Sequence, residues 1–213
     1  MRIRRGSWCW LVAGCGALFA FAAAPAAQAI TLSLAAVAPT PGTVFVGNSI
    51  FMEVRVSGLT SPGAPSISAF DLDLSFDATR VGFVGLTFNT LGMTTCTPAT
   101  WTAACDAYVN LLTSAGLVTF AATSLLDPAT INASQPASGA LATLEFLATG
   151  AGTAAFSFAG VSLAGTITGT TEGTLLATTS GLSVPIAVPE PGTACLILLG
   201  LSALGWVPKA SRS

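Results

Sequence analysis

An all-β fold of two packed sheets, preceded by an N-terminal signal peptide and followed by a C-terminal single transmembrane helix, is the class that this 213-residue sequence predicts. Three observations carry the expectation. Short segments between residues 30 and 180 alternate apolar and polar side chains with a period of two, as half-buried strands do. Glycine and proline punctuate those segments at short intervals, and no long helical period interrupts them. The two ends of the chain, by contrast, are continuous apolar runs beside basic residues.

The first element is the leader. Arg2, Arg4 and Arg5 precede an apolar run from Trp8 to Pro25, and small residues follow. Ala27 and Ala29 fit an A-x-A cleavage site, so residues 1–29 are expected to leave and Ile30 to start the mature chain. Val12-Ala13-Gly14-Cys15 also resembles a lipobox, which would lipidate Cys15. A lipoprotein normally continues into a polar tether, whereas residues 17–27 stay apolar, so Cys15 is read as part of the leader.

The body, residues 30–180, reads as some nine short strands. Residues 30–46 give two of them around a Pro-Gly turn. In the next, Ile50, Met52, Val54 and Val56 share one face and Phe51, Glu53 and Arg55 the other. Residues 57–66 are a loop by their Pro and Gly content. The clearest strand is residues 69–77: Phe70, Leu72, Leu74 and Phe76 face the core, while Asp71, Asp73, Ser75 and Asp77 face away. Asp77-Ala78-Thr79 predicts a turn in which the aspartate accepts from backbone N–H groups ahead of it. Residues 108–112 and 117–123 pair as a hairpin, and residues 124–139 are expected as a long connection without period. From Gly139 the core face is expected to be Ala140, Ala142, Leu144, Phe146 and Ala148, because Glu145 should be wet. Residues 153–158, 161–167 and 174–177 complete the set, and residues 181–191 read as a linker.

Charge is sparse and one-sided. Between Ile30 and Val188 there are eight acidic residues against two basic ones, Arg55 and Arg80, which argues against nucleic acid or an anionic surface as partner. Of the five cysteines, Cys96 and Cys105 alone lie in the body, bracketing a loop that contains Trp101. An exported chain favours a disulfide between them; two isolated thiols are the alternative.

No residue set announces catalysis. The chain has no histidine, which removes Ser-His-Asp triads, His general bases and His metal sites. Asp71 and Asp73 share a strand face at about 6.5–7 Å by strand rise, a separation some carboxylate mechanisms use. A solvated sheet surface accounts for them more simply; a weak calcium contact with Asp77 is a further alternative. Trp101 and Tyr108, flanking Cys105, could present an aromatic spot to a sugar, or Trp101 could pack on its own disulfide. Asn132-Ala133-Ser134 matches a glycosylation sequon by accident of composition. The expectation is a non-enzymatic protein without metal or cofactor, with a carbohydrate- or calcium-binding module and a carboxylate hydrolase as alternatives.

The tail supplies an address. Residues 192–207 carry no charge and as a helix would rise about 24 Å, short of a roughly 30 Å hydrocarbon core. Residues 208–213, with Lys209 and Arg212, are expected as a cytoplasmic tail. Val188-Pro189-Glu190-Pro191, the apolar run and the basic end together resemble the PEP-CTERM sorting signal. That resemblance implies a protein exported by the general secretion machinery of a Gram-negative, exopolysaccharide-making bacterium and handled by an exosortase. It implies transient anchoring in the inner membrane with the body in the periplasm, then residence at the cell surface or in the extracellular matrix beside polysaccharide. Lys209 and Arg212 depart from the tight arginine cluster usual in such signals.

The body in turn resembles a cohesin-like domain, a jelly-roll sandwich. The resemblance rests on Gly42-Thr43-Val44 through Val56, on Phe70-Asp71-Leu72 through Phe76-Asp77, and on residues 141–146 followed by Gly152-Thr153. The cysteine loop departs from cohesins that bind dockerins, so dockerin recognition is not carried over.

Overall fold

The structure, a computed structural model, describes residues 29–38, 44–89, 91, 95–96 and 106–189. Its elements in chain order are β1 (Ile30–Ala38), β2 (Val44–Phe45), β3 (Ser49–Ser57), β4 (Ser66–Phe76), β5 (Val81–Phe88), β6 (Thr95–Cys96), β7 (Ala107–Ser114) and β8 (Leu117–Ser124). There follow α1 (Pro128–Ser134), β9 (Ser138–Ala148), β10 (Gly152–Thr168), β11 (Thr171–Leu175), β12 (Ala177–Ser180) and β13 (Leu182–Ala187). They form two sheets. The smaller has the order β12-β1-β3-β9-β5, and the larger β2-β13-β10-β4-β8-β7-β6, with β11 paired to β10.

Period-two alternation does what the sequence predicts. Ile50, Met52, Val54 and Val56 of β3, and Phe70, Leu72 and Leu74 of β4, are buried between the sheets. Phe146 of β9 stands at the centre, completely buried. Its ring meets Phe76 at 5.1 Å, Phe83 at 5.6 Å and Phe156 at 5.0 Å between centroids, each edge to face. Because Phe83 and Phe146 belong to the smaller sheet and Phe76 and Phe156 to the larger, this cluster joins the two layers.

Four local expectations change. Residues 153–158 and 161–167 are one strand, β10, because Ala159-Gly160 is absorbed as a bulge where the register against β4 shifts. A second shift follows at Gly165, where a Cβ would stand 1.8 Å from the carbonyl oxygen of Ser66; only glycine lets β4 and β10 approach there. In β9 the expected core face holds from Ala142 onward, but Leu141 replaces Ala140 as a buried residue because the register against β3 shifts between Val54 and Arg55. The connection after β8 contains α1, capped by Asp127, whose Oδ1 accepts from the N–H groups of Ala129 and Thr130, and opened by Pro128. Finally, β13 occupies most of the stretch expected as a linker, pairing with β10 and, in parallel, with β2.

The membrane part of the expected fold class is corrected. No helix among the described residues is long and apolar enough to cross a membrane; the helix they contain, α1, has seven residues. Residues 192–207, where the transmembrane helix was expected, lie outside the described residues, as do residues 208–213. The fold supported is the sandwich alone. Anchoring through a C-terminal helix, and the transient inner-membrane location that depended on it, are not carried forward.

The polar interior is closed. Ser66, Gln135 and Thr166 are buried, and each is bonded: Ser66 Oγ to Thr166 Oγ1 at 2.7 Å, Gln135 Oε1 from the Ile67 N–H at 2.6 Å, and Gln135 Nε2 to the Ile67 carbonyl at 3.0 Å. Thr166 Oγ1 also donates to Asn132 Oδ1, which pins α1 to β10. Among the described residues no buried side-chain polar atom lacks a partner.

Two turns bring their carboxylates below the usual aspartate range. Asp77 Oδ1 accepts the Thr79 hydroxyl at 2.6 Å and the Thr79 N–H at 3.0 Å, with Arg80 adding a smaller attraction. Asp127 is held down by the Thr130 hydroxyl first and then by the N–H groups of Thr130 and Ala129.

Three outcomes follow for stability. Phe146→Ala should cost about 3–5 kcal/mol in urea titration. Gly165→Ala should cost about 1–3 kcal/mol through overpacking, whereas Gly85→Ala, whose Cβ would meet nothing within 4 Å, should stay within about 0.5 kcal/mol. For pH, a carboxyl whose folded pKa is depressed adds stability above its unfolded pKa and loses it as pH falls through the folded value. Thermal midpoints should therefore drop from about pH 5 downward, and less steeply in Asp77→Asn/Asp127→Asn; identical slopes in the two proteins would exclude the two turns as the source.

Candidate interaction face

The outer face of the larger sheet is built from β10, β4, β8 and β7, and β4 runs through its middle. Alternation sends Asp71, Asp73 and Ser75 outward from β4, opposite Ala121, Thr119 and Leu117 of β8 and Ser162, Gly160 and Ser157 of β10. Asp73 is fixed from both sides. It accepts the Thr119 hydroxyl from β8, and it lies against Gly160 of β10, where a Cβ would come within 2.5 Å of Asp73 Oδ2. Asp71 stands exposed one step along the strand. Ser75 and Ser157 hydroxyls bond each other across the strands at 2.8 Å.

On β7 the outward residues are Tyr108, Asn110 and Leu112, opposite Thr123, Ala121 and Thr119. Leu112 is 62% exposed, the largest exposure of an apolar side chain on this face. Asn110 Oδ1 accepts the Leu111 N–H at 2.9 Å, so one backbone donor of β7 is already occupied. The face is thus acidic at the centre, bordered by hydroxyls and edged by a leucine. The two basic residues among those described, Arg55 and Arg80, lie on β3 and in the β4–β5 turn, away from it.

The sequence-predicted candidates fare differently. Asp71 and Asp73 do share the outer face, one strand repeat apart on β4. A cleft of about 280 Å³ between β5 and the β7–β8 hairpin is lined by Phe76, Val81, Phe83, Thr113 and neighbours, and a smaller crevice by Ile67, Phe70, Leu91, Gln135 and others; no carboxylate lines either. Asp77 turns instead toward Thr79 and Arg80, and among the described residues no three carboxylates or thiols gather as a metal site. Tyr108 is half-buried. Asn132 Nδ2 donates to the Gly169 carbonyl, so the sequon amide is engaged at the surface. The proposed Cys96–Cys105 bridge lies outside the described residues, since Cys96 is placed only as backbone of β6 and Cys105 and Trp101 are not among them. Of the sorting motif, Val188 and Pro189 are described and exposed, while Glu190 and Pro191 lie outside; of the cleavage site, Ala29 is described and exposed, and Ala27 lies outside.

Sequence reasoning missed Thr119 and Gly160 as the partners that fix Asp73. A glycine inside a strand signals close approach, but which carboxylate approaches depends on the bulged register of β10, which no local pattern fixes.

No family model matches the sequence, and no curated protein matches it. Solved structures do. The seventh ScaB type I cohesin of Pseudobacteroides cellulosolvens superposes with a TM-score of 0.53 at 15% identity, over 77% of this chain and 96% of that one. The sixth cohesin of Acetivibrio cellulolyticus scaffoldin B, solved in complex with a Cel5 dockerin, gives 0.52 at 18% identity, over 75% and 99%. The OlpA cohesin of a type I cohesin–dockerin complex from Clostridium thermocellum gives 0.53 at 13%, over 75% and 99%. At such identities the likeness speaks for the fold alone, and the body of this chain has the fold of a cohesin module.

Proposed function

We propose that this chain is an exported, non-catalytic module that binds another protein through the outer face of its larger sheet. The observation that carries the reading is the pairing of Asp71 and Asp73, one of them fixed by Thr119 and Gly160, with the exposed Leu112 on a surface without basic residues. Such a face fits a partner that brings lysine or arginine to the centre and an apolar contact to the β7 edge. Support comes from fold and chemistry together: cohesins of this fold were solved bound to dockerins, and the chain has no histidine. Export is the second part of the reading: Ala27 and Ala29 are cleaved by signal peptidase after Ala29, Val188-Pro189-Glu190-Pro191 is the exosortase-read sorting motif, and Cys96 and Cys105 are joined in the oxidising compartment. The module then sits at the surface or in the matrix, beside extracellular polysaccharide.

Two measurements test this. Mass spectrometry of the protein from the secreted fraction should find Ile30 at its N-terminus; a lipidated Cys15, or an uncleaved chain in the cytosol, would refute export. For the face, Asp71→Lys/Asp73→Lys should weaken binding to a dockerin or other captured protein about tenfold, and rising salt should weaken the unmodified protein in the same direction. Unchanged binding in that variant would move the site elsewhere, and selective retention of matrix glycans would favour a carbohydrate module.

A further inference from the structure

The outer face of the smaller sheet breaks its own pattern at one end. There Val37 of β1, Phe51 of β3, Leu147 of β9 and Val84 of β5 are all exposed, Val84 by 55%. The register sets them side by side: Phe51 lies beside Ala38 and Glu145, Leu147 beside Ser49 and Gly82, and Val37 and Val84 are the extra residues at shifts in β1 and β5. Gly82 and Gly85 add no side chains to the strip, and a Cβ at Gly85 would meet nothing. Farther along the same face the residues are polar, including the Glu53–Arg55 pair at 3.0 Å.

The strip lies at the end of the sandwich from which the tail departs. Ala187, the last residue of β13, pairs with Phe45, and its carbonyl accepts the Val46 N–H at 3.0 Å. From there the turn at Gly47 and Asn48 leads directly into β3 toward Phe51, and Gly47 bonds Ala148, the neighbour of Leu147. Phe45 and Val188 are themselves exposed and extend apolar surface from the exit toward the strip. Beyond Pro189 come 24 residues, of which 192–207 carry no charge. Residues 190–195 could cover about 20 Å when extended, enough to bring Cys195 and the leucines after it onto the strip.

We propose that this strip is the docking site for the chain's own apolar C-terminal segment, residues 196–207, and shields that segment from water for as long as the tail is attached. Burying several of its leucines against Phe51, Leu147 and Val84 supplies the driving force. The proposal does not depend on which partner the opposite sheet binds.

Disulfide trapping in the full chain tests it, with the native Cys195 as reporter and copper-phenanthroline as oxidant. Leu147→Cys should couple to Cys195 within one chain, about tenfold faster than Thr153→Cys. Thr153 is the fairer control because it lies beside Pro185, as near the exit, but on the other sheet. Adding Phe51→Arg should abolish the preference, with a cooperative thermal transition showing that the body is still folded. Equal trapping at residues 147 and 153 would mean an undocked tail and would overturn the proposal. Linkage between two chains, rising with concentration, would overturn it in favour of a second copy on the strip.

Discussion

The contact on which the rest depends is the aromatic cluster around Phe146. Four rings from β4, β5, β9 and β10 meet edge to face across the layer between the sheets, so the separation of the sheets is set by side chains too large to slide past one another. Once that layer is fixed, alternation fixes everything else about orientation. Each residue next to a core phenylalanine must point outward: Glu145 and Leu147 beside Phe146, Ser75 beside Phe76, Ser157 beside Phe156. The outer faces are therefore the complement of the core, and their chemistry is a consequence of its register.

That relation explains which parts of the fold the sequence discloses. Strands such as β3 and β4 carry strict alternation along a single register, so Met52 and Leu72 could be assigned to the core from spacing alone. Where a bulge intervenes, local spacing misleads: Leu141 is core because one residue is looped out of register against β3, and the Ala159-Gly160 pair looks like a turn yet lies within β10. The parallel pairings β1–β12 and β2–β13 leave no local signal, because β12 has four residues and β2 two, and the partner lies far away in the chain. The helix α1 had a legible signal, Asp127-Pro128 as cap and first turn, but its seven residues are too few to show a helical period. For the candidate face, Asp71 and Asp73 could be placed together from spacing, whereas the fixing of Asp73 required the three-strand register.

A body with so few charges cannot distribute specificity through ion pairs. The two ion pairs among the described residues, Glu53–Arg55 and Asp77–Arg80, are both exposed and both within a few residues of chain, and such pairs contribute little. Polar order comes instead from hydroxyls and amides that bridge elements: Thr119 to Asp73, Ser66 to Thr166, Asn132 to Gly169, Gln135 to the β4 backbone. These bonds hold loops and carboxylates without adding charge.

The two outer faces therefore differ in kind. On the larger sheet the outward positions around Asp71 and Asp73 are hydroxylic or small, and the apolar ones, Leu112 and Leu117, lie toward the β7–β8 hairpin. On the smaller sheet the four exposed apolar residues cluster at one end, and they do so because two bulges turn Val37 and Val84 outward where an unbroken strand would have paired them. Exposed apolar surface produced by such turns costs solubility unless something covers it. Its position beside β13, with an uncharged stretch of the same chain leaving from Pro189, makes the tail the nearest candidate for that cover, because a tethered segment needs only modest affinity to remain bound.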